Sequence, residues 1–84
     1  MYKIILEKKP EHFFRKLEKK EQERIAKKFN ELEKNPELGK PLTANLAGLW
    51  SLRFGDYRAI YQIRRNELLI LILRLGHRKN IYNR

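Results

Sequence analysis

The chain has no cysteine, which removes disulfide staples, thiolate nucleophiles and most zinc sites together. A reducing compartment suits such a composition. The longest apolar run, LLILIL at 68–73, falls far short of the roughly 20 residues that cross a bilayer, and the N-terminus lacks a signal-peptide hydrophobic region. A soluble cytoplasmic protein is therefore expected. There is no GxGxxG, P-loop, GxSxG or HExxH motif, and the two acids of the second half, Asp56 and Glu67, fall at predicted turns. That rules out a two-metal nuclease, which needs several carboxylates at one site, and neither metal nor cofactor is expected. At 84 residues the chain makes one domain, 1–84, burying about 60 to 65% of its unfolded surface, with little room for a deep substrate cavity.

What the sequence does have is positive charge. Twenty Lys and Arg against ten Asp and Glu leave a formal charge of +10, which points to a polyanionic partner; an acidic protein partner and a merely charged surface are the plainer alternatives. The distribution is uneven. Residues 1–42 hold ten Lys, two Arg and eight Glu (12 − 8 = +4), whereas residues 43–84 hold one Lys, seven Arg, one Asp and one Glu (8 − 2 = +6). Interspersed Lys and Glu read as a solvated helix surface, while arginine on strands suits planar, bidentate phosphate recognition.

Periodicity gives the elements. In YKIILEK at 2–8, Tyr2, Ile4 and Leu6 alternate with Lys3 and Glu7, a strand with one buried face. Pro10 fits the first turn of a helix that carries Phe13, Phe14 and Leu17. After a break near 19–21, Ile25, Phe29 and Leu32 recur at i, i+4 and i+7 along a second helix, which Asn35 and Pro36 end. Residues 36–48, with two prolines and two glycines, form a connector. From Leu49 the period is two: Trp50, Leu52 and Phe54 oppose Ser51 and Arg53, and Tyr57, Ala59, Tyr61 and Ile63 oppose Arg58, Ile60, Gln62 and Arg64. The near-continuous LLILILRL reads as a central strand covered on both faces. The expectation is an α+β fold: a strand, an αα-hairpin on one sheet face, then a three-stranded antiparallel meander, with the first strand joining in parallel through its helical crossover.

Two clusters hold the candidate chemistry. Arg53 and Arg58 lie five residues apart across a tight turn, and two cations held together favour an anion between them; the plainer reading pairs each with Asp56, Glu67 or solvent. In the tail LGHRKNIYNR, His77, Arg78 and Tyr82 make an acid–base, charge-stabilising and stacking set. A lone histidine is commonly a bystander, and Tyr82 can simply cover a sheet edge. His12, beside Phe13 and Phe14, reads as structural or solvated. A polyanion-cleaving enzyme can work without metal when cations stabilise the transition state and RNA supplies its own 2′-hydroxyl nucleophile.

PLTANLAGLWSLRFGDYRAIYQI at 41–63, followed by ILRLGHRKNIY at 72–82, resembles the RelE/ParE superfamily of toxins from type II toxin-antitoxin modules. The resemblance implies a microbial ribonuclease-like fold, cleavage of messenger RNA in the ribosomal A site on the RelE side, and a RelB-like antitoxin that holds the toxin in a hetero-oligomer. It further implies that Arg58 stabilises the scissile phosphate, that Arg78 stabilises charge or aids the leaving group, that Tyr82 stacks on an mRNA base, and that Arg53 contacts phosphate. The chain departs from bacterial members that carry two lysines on the Arg53 strand, having Leu49 and Ser51 there. Lys40 stands where a related branch has a glutamate just before the connector's PL, and is expected on the substrate side. No residue inherits the general base directly; His77 is the first candidate and Lys40 the second, the alternative being catalysis by arginine electrostatics and in-line positioning of the 2′-hydroxyl. A ParE-like inhibitor of DNA gyrase and a non-catalytic basic binding module are the competing functions.

Overall fold

The computed structural model describes residues 1–77 and residue 79. In order these form β1 (Lys3–Leu6), α1 (Lys8–Lys16), α2 (Lys19–Lys34), β2 (Lys40–Pro41), β3 (Trp50–Phe54), β4 (Tyr57–Arg64) and β5 (Leu69–His77), with short 3-10 turns at Pro36–Leu38 and Ala44–Leu46. The five strands make one sheet in the order β1-β5-β4-β3-β2. The meander β3-β4-β5 is antiparallel and β1 joins β5 in parallel, Ile4 opposite Ile70 and Leu6 opposite Ile72. The expected architecture is therefore present, with one addition. The connector contributes β2, which pairs antiparallel with β3 (Lys40 with Ser51, Pro41 with Trp50) and lengthens the sheet at its far edge.

Both helices lie on one face because their apolar residues do. Ile25, Phe29 and Leu32 of α2 are buried against Leu52, Phe54, Tyr57, Ala59, Tyr61, Ile70, Ile72 and Leu75 of the sheet, and the Phe29 ring meets Phe54 edge-on at 6.3 Å. Truncating Ile25 or Leu32 to alanine would cost about 2 to 5 kcal/mol, the usual range for an aliphatic core side chain. Between the helices the backbone turns extended at Leu17. The Gln22 amide of α2 donates to the Phe14 carbonyl at 2.9 Å, satisfying an acceptor that the end of α1 would otherwise orphan. Asn35 closes α2 by donating its backbone N–H to Glu31 and Leu32.

The near-continuous apolar run at 68–73 hides an irregularity in β5. Tyr57 pairs with His77, Arg58 with Gly76 and Ile60 with Arg74, but Tyr61 pairs with Ile72, so Leu73 is an extra residue opposite the Ile60–Tyr61 step. Such a bulge reverses which side chains face which side of the sheet. Ile70 and Ile72 point to the helices before it, and Leu75 does so after it. Arg74, which unbroken alternation would have driven into the core with Ile70 and Ile72, joins the other face instead.

Candidate anion-binding face

The sheet face away from the helices collects the arginines. Arg53 of β3 and Arg58 of β4 are direct cross-strand partners, an arrangement that like charge makes unfavourable unless an anion lies between or beside them. Arg58 is half-buried and its Nη1 donates to Ser51 Oγ at 2.7 Å. That bond fixes the guanidinium at the strand surface. Ser51 and Ile60 form the floor beneath it, only 4% and 2% exposed, and removal of water from such a floor strengthens any phosphate interaction above it.

Lys40 reaches the same face, because its register partner is Ser51. The position of β2 is fixed by the Tyr61 phenol, which donates to the Pro36 carbonyl at 2.7 Å and accepts the Gly39 backbone N–H at 3.0 Å. Burial pushes this phenol above its ordinary pKa of 10.0, the Gly39 bond partly offsetting the shift and the Glu37 carboxylate adding to it. Gly39 also leaves no room for a side chain: a Cβ there would run into the Ser51 carbonyl and stand 2.9 Å from the Tyr61 oxygen. The connector is thus pinned at the residue before Lys40.

Arg53 and Lys40 form no ion pair among the described residues, whereas Arg64 and Arg65 do, with Glu67 at 3.4 Å and Glu37 at 2.8 Å. The latter two belong to a solvated turn, and such exposed pairs contribute little. Among the described residues no group of three or more His, Cys, Asp or Glu could hold a metal ion.

His77 lies elsewhere. It pairs with Tyr57, stacks on that ring at 5.1 Å and meets Phe13 of α1 edge-on at 6.2 Å, so it belongs to the helix side of the sheet. His77, the first candidate for the general base, and Arg58 therefore lie on opposite faces of the sheet, and the reason is parity: Arg58 and Tyr57 are consecutive, so their strand partners Gly76 and His77 diverge as they do. The Tyr57 phenol is raised above 10.0 by burial first, then by the Glu21 and Asp56 carboxylates. Arg78 and Tyr82 lie outside the described residues.

Of the residues singled out in the sequence, the structure brings Arg53, Arg58 and Lys40 to one surface, and it adds two more. Ser51 carried a signal, since its alternation with Leu52 and its place opposite a neighbouring arginine strand imply a shared face. Arg74 carried none, because nothing in an apolar run of leucine and isoleucine marks where a bulge falls. A second basic surface, a groove of about 540 Å³ lined by Lys8, Lys9, His12, Phe13, Arg15 and Lys16 among others, runs along α1 on the helix side.

Known proteins share the sequence pattern and the fold. The family model of the ParE toxin of the type II toxin-antitoxin system, parDE, matches residues 6–82. Toxin RelG of Mycobacterium tuberculosis is 44% identical over 57 residues, which cover 67% of this chain and 66% of that protein, just under two thirds of its length. Among solved structures, the toxin-antitoxin complex RelBE2 from Mycobacterium tuberculosis matches with a TM-score of 0.83 at 32% identity, over 92% of this chain and 98% of that one. The archaeal RelE-RelB complex of Pyrococcus horikoshii gives 0.73 at 28% identity, over 94% and 97%. The isolated E. coli RelE toxin, at 20% identity and a TM-score of 0.77 over 92% and 84%, shares the fold.

Proposed function

We propose, from the premise that the chain belongs to the RelE/ParE superfamily of toxins of type II toxin-antitoxin systems, that it is a metal-independent endoribonuclease that cleaves mRNA in the ribosomal A site and so arrests translation. The observation that carries this reading is the Arg53–Arg58 cross-strand pair, with Arg58 held by Ser51. Such a pair suits a phosphodiester whose non-bridging oxygens gain charge in the transition state. The 2′-hydroxyl of the preceding nucleotide attacks phosphorus, the bond to the 5′-oxygen breaks, and the products are a 2′,3′-cyclic phosphate and a 5′-hydroxyl. The attacking group's proton passes to solvent and the departing oxygen takes one up.

In this proposal Arg58 binds the scissile phosphate, Arg53 and Lys40 bind on the substrate side, Arg78 steadies the leaving oxygen and Tyr82 stacks on a base. His77 takes no part in proton transfer, being on the helix side with Tyr57 and Phe13. Catalysis then rests on arginine electrostatics and on in-line positioning of the 2′-hydroxyl by the ribosome. An antitoxin that lays acidic groups over the arginine face and an apolar helix face against the toxin would silence it. Its relatives in RelBE and RelE-RelB complexes support such a partner.

The test is a purified in vitro translation reaction with the mRNA ends mapped after addition of the protein. Cuts in register with codons are the expected result. The match to a ParE toxin model favours a second reading, inhibition of DNA gyrase; intact mRNA together with blocked supercoiling in a gyrase assay would select it.

A further inference from the structure

We infer that Arg74, carried to the arginine face by the bulge at Leu73, is a further RNA-binding residue that holds a backbone phosphate neighbouring the scissile one, so that Lys40, Arg53, Arg58 and Arg74 form a continuous track for single-stranded RNA. The inference rests on the reading of this face as an RNA site and extends it to a residue on a different strand.

The register places the cations. On this face two rows of side chains cross the sheet: Arg53, Arg58 and Gly76 in one, and Lys40, Ser51, Ile60 and Arg74 in the next. With strands about 4.8 Å apart, the second row places its two cations about 14 Å from each other, one at each end. Between them lie only Ser51 and Ile60, both buried. Opposite Arg58, β5 offers Gly76, which has no side chain. The nearest β5 side chain on that face is therefore Arg74, at the diagonal position, where separations of about 7 to 8 Å remain within reach of long side chains.

The bulge has a physical cost that needs a return. An extra residue interrupts the ladder of the strand that lies between β1 and β4, where regular pairing would otherwise be at its strongest. What it achieves is a change of side for everything beyond it: Leu75 enters the core and Arg74 leaves it. Without that change a guanidinium would be buried among Ile70 and Ile72, which is prohibitive unless paired. With it, the cation stands half-exposed beside Arg58. The ligand this favours is an extended chain of phosphates, since four cations at both ends and the middle of a shallow face match a repeating anion better than a single one.

The experiment is a salt titration of binding. A short single-stranded RNA, 2′-O-methylated throughout so that it cannot be cleaved, is labelled and followed by fluorescence anisotropy with the full-length protein. For single strands the slope of log K against log salt changes by about 0.7 for each phosphate that the protein ceases to neutralise. Arg74→Gln is expected to make the slope shallower by about that amount, Arg74→Lys to preserve it, and Lys9→Gln on the α1 groove to leave it unchanged. An unchanged slope in Arg74→Gln alongside a shallower one in Arg58→Gln would remove Arg74 from the track. Equal reductions in Arg74→Gln and Lys9→Gln would show general attraction by net charge and overturn the inference. Failure of the unmodified protein to bind the oligonucleotide would overturn it too, and would favour an acidic protein segment as the occupant. The cleavage assay above is scored separately: slope changes without cleavage would sink the nuclease reading and keep the track, and cleavage with an unaltered Arg74→Gln slope would do the reverse.

Discussion

Arg58 and Ser51 are joined by a 2.7 Å hydrogen bond between Nη1 and Oγ, on neighbouring strands of one sheet. A serine thus orients the arginine from the neighbouring strand. Arg58→Ala is expected to reduce mRNA cleavage by about 10² to 10³-fold with the fold intact, the usual cost of removing one charge stabiliser. Ser51→Ala should lower the single-turnover cleavage rate at saturating ribosomes, while Ser51→Thr, which keeps the hydroxyl, should restore most of it. Equal activity of Ser51→Ala and the unmodified protein would show that the bond does not matter for chemistry.

Tyr61 and Gly39 make a second testable pair. Tyr61→Phe removes one donor and one acceptor that the connector backbone uses, so it should destabilise the protein by about 1 to 3 kcal/mol in urea unfolding. Gly39→Ala forces a methyl group against the Ser51 carbonyl and the Tyr61 oxygen and should cost a similar amount. If either variant unfolds at the same urea midpoint as the parent, the connector is not pinned as described.

Alkaline pH offers a third measurement. Tyr57 and Tyr61 both have folded-state pKa values raised above 10.0, so the folded state favours their protonated form. The stabilisation this gives is complete below pH 10 and is lost as pH rises from there through the folded values. Stability measured by denaturant unfolding should therefore fall on the alkaline side. Tyr61→Phe should flatten that fall although it lowers stability at neutral pH.

The β4–β5 turn ends on Leu68, which has φ of 55° and is 51% exposed. A leucine in the left-handed region is strained by about 1 kcal/mol or more, and glycine or asparagine is the usual occupant of such a turn position. Leu68→Gly and Leu68→Asn are expected to raise the thermal midpoint by a few degrees. A lowered midpoint in both would mean that the leucine side chain packs well enough to outweigh its backbone strain.

The fold is legible in the sequence because its signals are strong and local. Ile25, Phe29 and Leu32 can serve only a helix, and Trp50, Leu52 and Phe54 only a strand with one buried face. The short β2 is not legible: Lys40 and Pro41 carry no strand signal, and they pair with β3 because Tyr61, far along the chain, holds the backbone before them. The site divides in the same way. Arg53 and Arg58 share a face by alternation, whereas Lys40 is suggested only by the resemblance and reaches that face through its pairing with Ser51. His77 falls on the other side of the sheet because proximity in sequence to a glycine and an arginine says nothing of strand parity, whereas its pairing with Tyr57 does.

The parallel pairing of β1 with β5 has a consequence in time. Lys3 meets Leu69 and Leu6 meets Ile72, so β1 cannot pair until β5, far along the chain, has been made. The strand that arrives late does not add to an edge; it inserts between β1 and β4 and carries Arg74 with it. A growing chain that has not yet reached β5 therefore lacks the strand that closes the core between β1 and β4, and long-range closure of this kind is slow relative to local helix formation.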